Sequence, residues 1–190
     1  MSRTFCLSGA GAAGYSGGVT GILRFVGILN AAVWCGSAIF LTIGLPALFS
    51  PELKTLLTVP GTGFAAEAVL GRFFALQYWC GAIAVAHLLA EWLYFGRPAR
   101  RWNLMLVTAM LEVALAGGLW LQPKMQNWHK IKYFGATTEL QAQAGKSFAL
   151  WHAASETANL LVIAGLVLHL WRVSRPPESP RFGSFSKIRG

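Results

Sequence analysis

The stretch FALWHAASETANLLVIAGLVLHLW, residues 148–171, decides the fold, because it is long and apolar and Glu156 is its one charged side chain. About 20 predominantly apolar residues suffice for a helix to cross the hydrocarbon core of a bilayer. Working outward, three more stretches qualify, at 25–49, 73–95 and 102–121, and no fifth does. Inside a membrane every backbone N–H and C=O must be satisfied within the protein, which leaves helices or a closed barrel. These stretches are too long and too continuously apolar for the alternating strands of a barrel. The expected fold class is therefore all-α integral membrane, a four-transmembrane-helix bundle with both termini on the same, cytoplasmic, side. Composition agrees, with 55% hydrophobic and 12% charged residues where a soluble domain carries roughly 25% charged. That argues against a soluble enzyme.

The charge is lopsided. Sixteen lysines and arginines face seven acids, none of them Asp, for a net charge of +9 and a mean hydropathy of +0.50. Arg3, Arg24, Arg97, Arg100, Arg101, Arg172, Arg175, Arg181, Lys187 and Arg189 fall on the face that carries the termini. Lys54, Arg72, Lys124, Lys130, Lys132 and Lys146 fall on the other. Cytoplasmic loops carry the excess of basic residues, so the termini are expected in the cytoplasm, and the membrane is expected to be the bacterial inner (cytoplasmic) membrane. Indoles prefer the headgroup level. Trp92, Trp102 and Trp171 lie near the expected cytoplasmic ends, Trp79, Trp120 and Trp151 towards the others, and Trp34 mid-span.

Three regions follow: a flexible Gly/Ala/Ser-rich tail at 1–23, the transmembrane domain at 24–172, and a basic, Pro-containing tail at 173–190. No apolar run in the first tail makes a cleavable signal, so the first span is expected to act as an uncleaved anchor. Gly9-Ala-Gly11-Ala-Ala-Gly14 matches a dinucleotide-binding pattern, but that pattern has meaning only between a strand and a helix. Ser50-Pro51-Glu52 is a helix-start signal for a short interfacial helix closed near Pro60-Gly61. After Pro123 a polar loop is expected, and Thr138-Glu-Leu-Gln141 has capping-box spacing. Basic residues at the cytoplasmic face fit anionic lipid headgroups, while nothing resembles a nucleic-acid-binding module. Cys6, Cys35 and Cys80 form no disulfide framework.

Ionisable residues within a span are costly, and each is a functional candidate until it has a partner. The second span holds His87 and Glu91, the third Glu112, and the fourth His152 and Glu156. Gln77, Cys80, Ala84, His87 and Glu91 draw one stripe, as do Asn30, Trp34 and Ser37 on the first span and His152, Ser155, Glu156 and Asn159 on the fourth. Such stripes are expected to face the bundle interior or a partner protein. At a rise of ~1.5 Å per residue, His87 and Glu112 come out at similar depth and are expected to pair. His87 and His152 come out too far apart for one compact metal site.

Three readings of this set stand side by side. It is an interhelical hydrogen-bonded network; or His87 or His152 is an axial ligand to a haem or chlorophyll-type macrocycle; or Glu91, Glu112 and Glu156 mark a proton or ion path. No catalytic arrangement of the Ser/His/Asp or Cys/His kind is legible.

Asn30-x3-Trp34-x-Gly36, Pro123-x-Met125 and Phe148-x3-His152-x2-Ser155-x3-Asn159 resemble the transmembrane-protein-205-like family of small four-helix membrane proteins. The resemblance runs over about 24–172 and implies a four-span architecture with a motif-bearing interior. It brings no enzyme activity, though tolerance to toxic metals or metal-containing drugs is associated with some relatives. It carries over to Asn30, Trp34, His152, Ser155 and Asn159. Glu156 departs from the pattern, and His87, Glu91 and Glu112 have no place in it. The expected function is a non-catalytic integral membrane subunit in a larger, bioenergetic membrane complex, packed against other integral membrane subunits. Faces such as Ala82-x3-Ala86-x3-Ala90 and Ala154-x3-Ala158 permit the close helix approach this needs. The alternative is a free-standing small transporter or metal-tolerance protein with an intramembrane Glu/His path.

Overall fold

A computed structural model describes residues 13–95 and 101–175. The expected tail segments at 1–12 and 176–190 lie outside the described residues, as does 96–100. Five helices follow in order: α1 (Ala13–Gly44), α2 (Pro51–Phe95), α3 (Arg101–Leu115), α4 (Gln122–Phe134) and α5 (Thr138–Ser174). A 3-10 turn at Leu45–Phe49 joins α1 to α2, and no strand occurs among the described residues. Four helical stretches, Gly21–Phe49, Pro60–Leu93, Arg101–Phe134 and Thr138–Ser174, are long and apolar enough to cross a membrane. The protein is an integral membrane four-helix bundle.

α1 packs on α2 and α5, and α3 packs on the same two helices, so the spans close into a four-membered ring. Trp34, Cys35, Ala38, Leu41, Phe73, Cys80, Ala84, Leu88, Val107, Met110, Val162 and Leu166 form its core. The spacing from Trp102 to Trp120 corresponds to roughly 27 Å of helix, and from Trp151 to Trp171 to roughly 30 Å. Both match a hydrocarbon core ~30 Å thick. At one rim the Trp120 and Trp151 rings meet edge to face at 5.4 Å. The Lys124 ammonium stands over both, 4.8 and 4.4 Å from their centroids. An amphipathic ring pair carrying a cation belongs at the headgroup level. The other rim, on the side of the termini, has Trp171 under the Arg175 guanidinium at 3.6 Å.

Three local features differ from the sequence expectations. α1 begins at Ala13, so residues 13–23 are helical. The polar stretch after Pro123 is the helix α4, because the third span does not stop. A π-helical stretch, Ala116–Leu121, precedes Pro123. A proline lacks an N–H and clashes with the carbonyl four residues back, and a widened turn relieves both problems. The cap of α5 is Thr137, whose hydroxyl accepts from the Leu140 N–H at 3.3 Å, one residue before the expected box. Gln141 instead donates back to the Gly135 carbonyl at 2.9 Å.

The start of α2 follows the sequence. Ser50 Oγ accepts from the Leu53 N–H at 3.4 Å, and its carbonyl accepts from Lys54 N–H at 3.0 Å. The short helix breaks at Thr58, whose φ of 62° is incompatible with helix, and Pro60 starts the span proper.

Candidate functional site

Each polar stripe can be followed by burial. On α1 and α2 the expected faces point inward: Asn30, Trp34, Gln77, Cys80, Ala84 and His87 are all buried. Asn30 donates from Nδ2 to the Cys80 carbonyl at 2.9 Å, tying α1 to α2. Trp34 is fully buried, and its indole N–H has no hydrogen-bond partner among the described residues. On α5 the inward face is instead Ala144, Val162, Leu166 and His169. That register leaves Ser155 and Asn159 at its edge and turns His152 and Glu156 outward. Asn159 Nδ2 still donates to Thr42 Oγ1 at 2.8 Å. His152 Nδ1 lies 3.7 Å from Glu156 on the exposed surface.

His87 and Glu112 do not meet. The His87 ring lies against Gly27, where a Cβ would come within 2.6 Å of Cε1 and Nε2. Its Nε2 stands 2.8 Å from the Leu23 carbonyl, with Glu91 at 3.8 Å. Leu23 neighbours Arg24, which bonds Ser174 at the end of α5. His87 is thereby held near the rim on the side of the termini. Glu112 lies between Trp102 and Trp120, near the bilayer centre, on an exposed face of α3. It has no hydrogen bond or ion pair among the described residues. The expected pairing assumed that α2 leaves the membrane at Phe95. The span runs instead from Pro60 to Leu93, and the contacts of His87 hold it towards that end.

The macrocycle reading can be tested on this geometry. His87 has its Nε2 engaged by the Leu23 carbonyl and its ring against Gly27, which leaves Nδ1 as the ring nitrogen open to a ligand. His152 sits near the Trp151 rim on an exposed surface, with the Phe148 ring edge-on to it at 5.8 Å. No group of three or more His, Cys, Asp or Glu able to hold a metal ion occurs among the described residues.

The tightest ionisable contact involves two residues that sequence reasoning passed over. Beyond the Trp120/Trp151 rim, His129 of α4 is 5% exposed, and its Nδ1 lies 3.1 Å from Glu67 Oε1 of α2. The carboxylate sits off the line of the ring N–H, so the contact is close but is not a directed hydrogen bond. Phe64, Tyr133 and Phe148 wall the imidazole, at centroid distances of 5.2, 5.0 and 5.9 Å. Gln122 Nε2 donates to the Glu67 carbonyl at 3.3 Å. The carboxylate and the aromatic wall around this imidazole clamp α4 to α2 and α5. The available signal was Gly63-x3-Glu67, a glycine and an acid on one helix face just outside the hydropathy window. His169, also passed over, is 3% exposed.

The polar, buried positions of α1, α2 and α4 belong to a segment with a recognisable pattern. A family model described as a domain of unknown function, DUF4149, matches residues 29–133, more than half the chain. The chain belongs to the DUF4149 family. No curated protein and no solved structure matches it significantly. The DUF4149 segment contains Asn30, Trp34, Glu67, His87, Glu91, Glu112 and His129. It stops before α5, so His152, Ser155, Glu156, Asn159 and His169 lie outside it.

Proposed function

We propose that this DUF4149 protein is a non-catalytic integral membrane subunit that packs within a larger membrane assembly of the bioenergetic kind. We place it in a bacterial cytoplasmic membrane with both termini inward. The observation that carries the reading is Glu112, an acid at mid-span, exposed and unpartnered among the described residues. A charged side chain at the bilayer centre costs about 2.5–3.5 kcal/mol on insertion scales, and such residues in membrane proteins find partners. A neighbouring subunit offering a donor to Glu112 removes that cost.

Two further observations support it. Ala82, Ala86 and Ala154 face outward. The close approaches inside the bundle use glycines instead, such as Gly81 against Leu111 and Gly165 against Met110. The alanine faces are therefore left for another protein. Burial is also uneven: 33% and 39% of the most apolar stretches of the first two spans are buried, against 17% for the third and fourth. The transporter alternative draws less support, since Glu112 and Glu156 face outward on different helices and Glu91 lies at the rim.

Extraction of the protein from native membranes in a mild detergent tests the reading. One or more membrane proteins are expected to co-migrate stoichiometrically, and a lone monomer overturns it.

A further inference from the structure

The side of the bundle that carries the termini differs from the other in the kind of cation it uses. Every basic side chain described at this rim is an arginine: Arg24, Arg101, Arg172 and Arg175. Towards the opposite side stand Lys54, Lys124, Lys130, Lys132 and Lys146, with Arg72. Charge alone would be served by either residue. Arginine adds a planar fork of donors that matches two oxygens of a phosphate, whereas lysine is a point charge.

These guanidinium groups are held in position, and among the described residues none of them meets a carboxylate. Arg172 Nη1 donates to Asn103 Oδ1 at 3.0 Å, between α5 and α3. Arg24 Nη2 donates to the Ser174 carbonyl at 2.9 Å, between α1 and α5. Arg175 lies on the Trp171 ring. The acceptors are an amide, a carbonyl and an indole, all uncharged. Every ion pair among the described residues is His with Glu, so no carboxylate answers any of these arginines. Glu91, the nearby acid, is set against His87.

An independent observation lies beneath Arg172. His169 is one turn before it, on the same face of α5, and leaves Nδ1 buried without a hydrogen-bond partner. His87 and then Arg172 lie within Coulombic range of it. A buried ring nitrogen with no partner among the described residues calls for an explanation. Trp102 and Trp171 set the depth of this cluster at the headgroup level.

We infer that the rim formed by Arg172, Asn103 and His169, flanked by Arg24 and Arg101, is a binding site for the phosphate of an anionic phospholipid. Arg172 supplies the fork, Asn103 fixes its direction, and His169 lies buried one turn below. Free phosphate shares the chemistry, but the depth of the tryptophans favours the lipid. The inference does not depend on the subunit reading.

The full-length protein in neutral detergent is titrated with phosphatidylglycerol, phosphatidylcholine or inorganic phosphate, and bound lipid is read by native mass spectrometry. Phosphatidylglycerol is expected to bind at least tenfold more tightly than phosphatidylcholine. Arg172→Lys, which keeps the charge and loses the fork, is expected to weaken phosphatidylglycerol binding roughly tenfold, the value of one charge-assisted hydrogen bond. Arg72→Lys, away from the rim, should leave it unchanged. Equal binding of the two lipids overturns the site, as does full retention in Arg172→Lys. Binding of inorganic phosphate at the same concentrations, without selectivity for phosphatidylglycerol, overturns the lipid assignment.

Discussion

Gly63 of α2 lies directly under the imidazole of His129, so close that a Cβ at position 63 would overlap Nε2 and Cε1. The absence of a side chain there is what lets α4 settle onto α2 and brings Nδ1 to Glu67. Gly63→Ala is expected to push the ring out of its aromatic wall and separate the pair. Overpacking costs about 1–3 kcal/mol, and the helix preference of alanine returns up to ~1 kcal/mol. A net loss of about 1–2 kcal/mol should appear in equilibrium unfolding of the detergent-solubilised protein. Gly36→Ala provides the contrast, since nothing lies within 4 Å of a Cβ there. It should be neutral or slightly stabilising. Equal effects at the two positions would show that the His129 contact does not constrain position 63.

Asn30 and Cys80 yield a second expectation. The amide of Asn30 is buried and donates across from α1 to the backbone of α2. Interhelical hydrogen bonds in membranes average about 0.6 kcal/mol, and loss of the packed amide adds to this. Asn30→Ala should therefore cost about 1–2 kcal/mol in the same assay. Asn159→Ala breaks an exposed bond to Thr42 and should cost about 0.5 kcal/mol. A larger effect at Asn159 than at Asn30 contradicts the burial of the two sites.

The four spans were legible because hydropathy over about 20 residues is a property of composition, independent of how helices pack. The inward stripes on α1 and α2 were legible for a related reason: Asn30, Trp34, Gln77, Cys80 and His87 repeat at helical spacing among apolar neighbours. What failed was relative height. A window cannot say where a span leaves the membrane, so His87 was expected level with Glu112, when its contacts with Leu23 and Gly27 hold it near the rim. On α5 two candidate faces lie one position apart, and Val162, Leu166 and His169 outweigh His152 and Glu156. Glu67 and His129 were missed because α2 and α4 extend past their apolar stretches, into sequence polar enough to read as loop.

Glu52 gives a pH expectation outside the membrane. Its own backbone N–H, and then the Ser50 hydroxyl, hydrogen-bond the carboxylate and hold the carboxyl below its usual range. A lowered folded pKa means that the ordering this group supplies is present above the ordinary carboxylate pKa. It is lost as pH falls through the lowered value. Carboxyl carbon NMR should place the Glu52 midpoint below the reference of 4.5. Ser50→Ala should raise that midpoint and fray the short helix before Thr58, since the cap to Leu53 goes with it. An unmoved midpoint in Ser50→Ala would remove Ser50 from the account.

Glu112 offers the sharpest separation between a subunit and a free-standing protein. In an isolated bundle an outward acid at mid-span has only lipid to face, so Glu112→Leu should relieve a cost and leave the purified protein as stable as the parent or more so. In a native assembly the same substitution deletes the group that a neighbour's donor meets. That leaves the donor itself unpaired in hydrocarbon, the more expensive half of the change. The two readouts should therefore diverge: unfolding midpoint unchanged or raised, and recovery of the co-migrating partner from native membranes reduced at least tenfold. Glu112→Gln keeps a hydrogen-bonding side chain and should recover an intermediate amount. Undiminished recovery of the partner with Glu112→Leu means that this acid does not carry the interface.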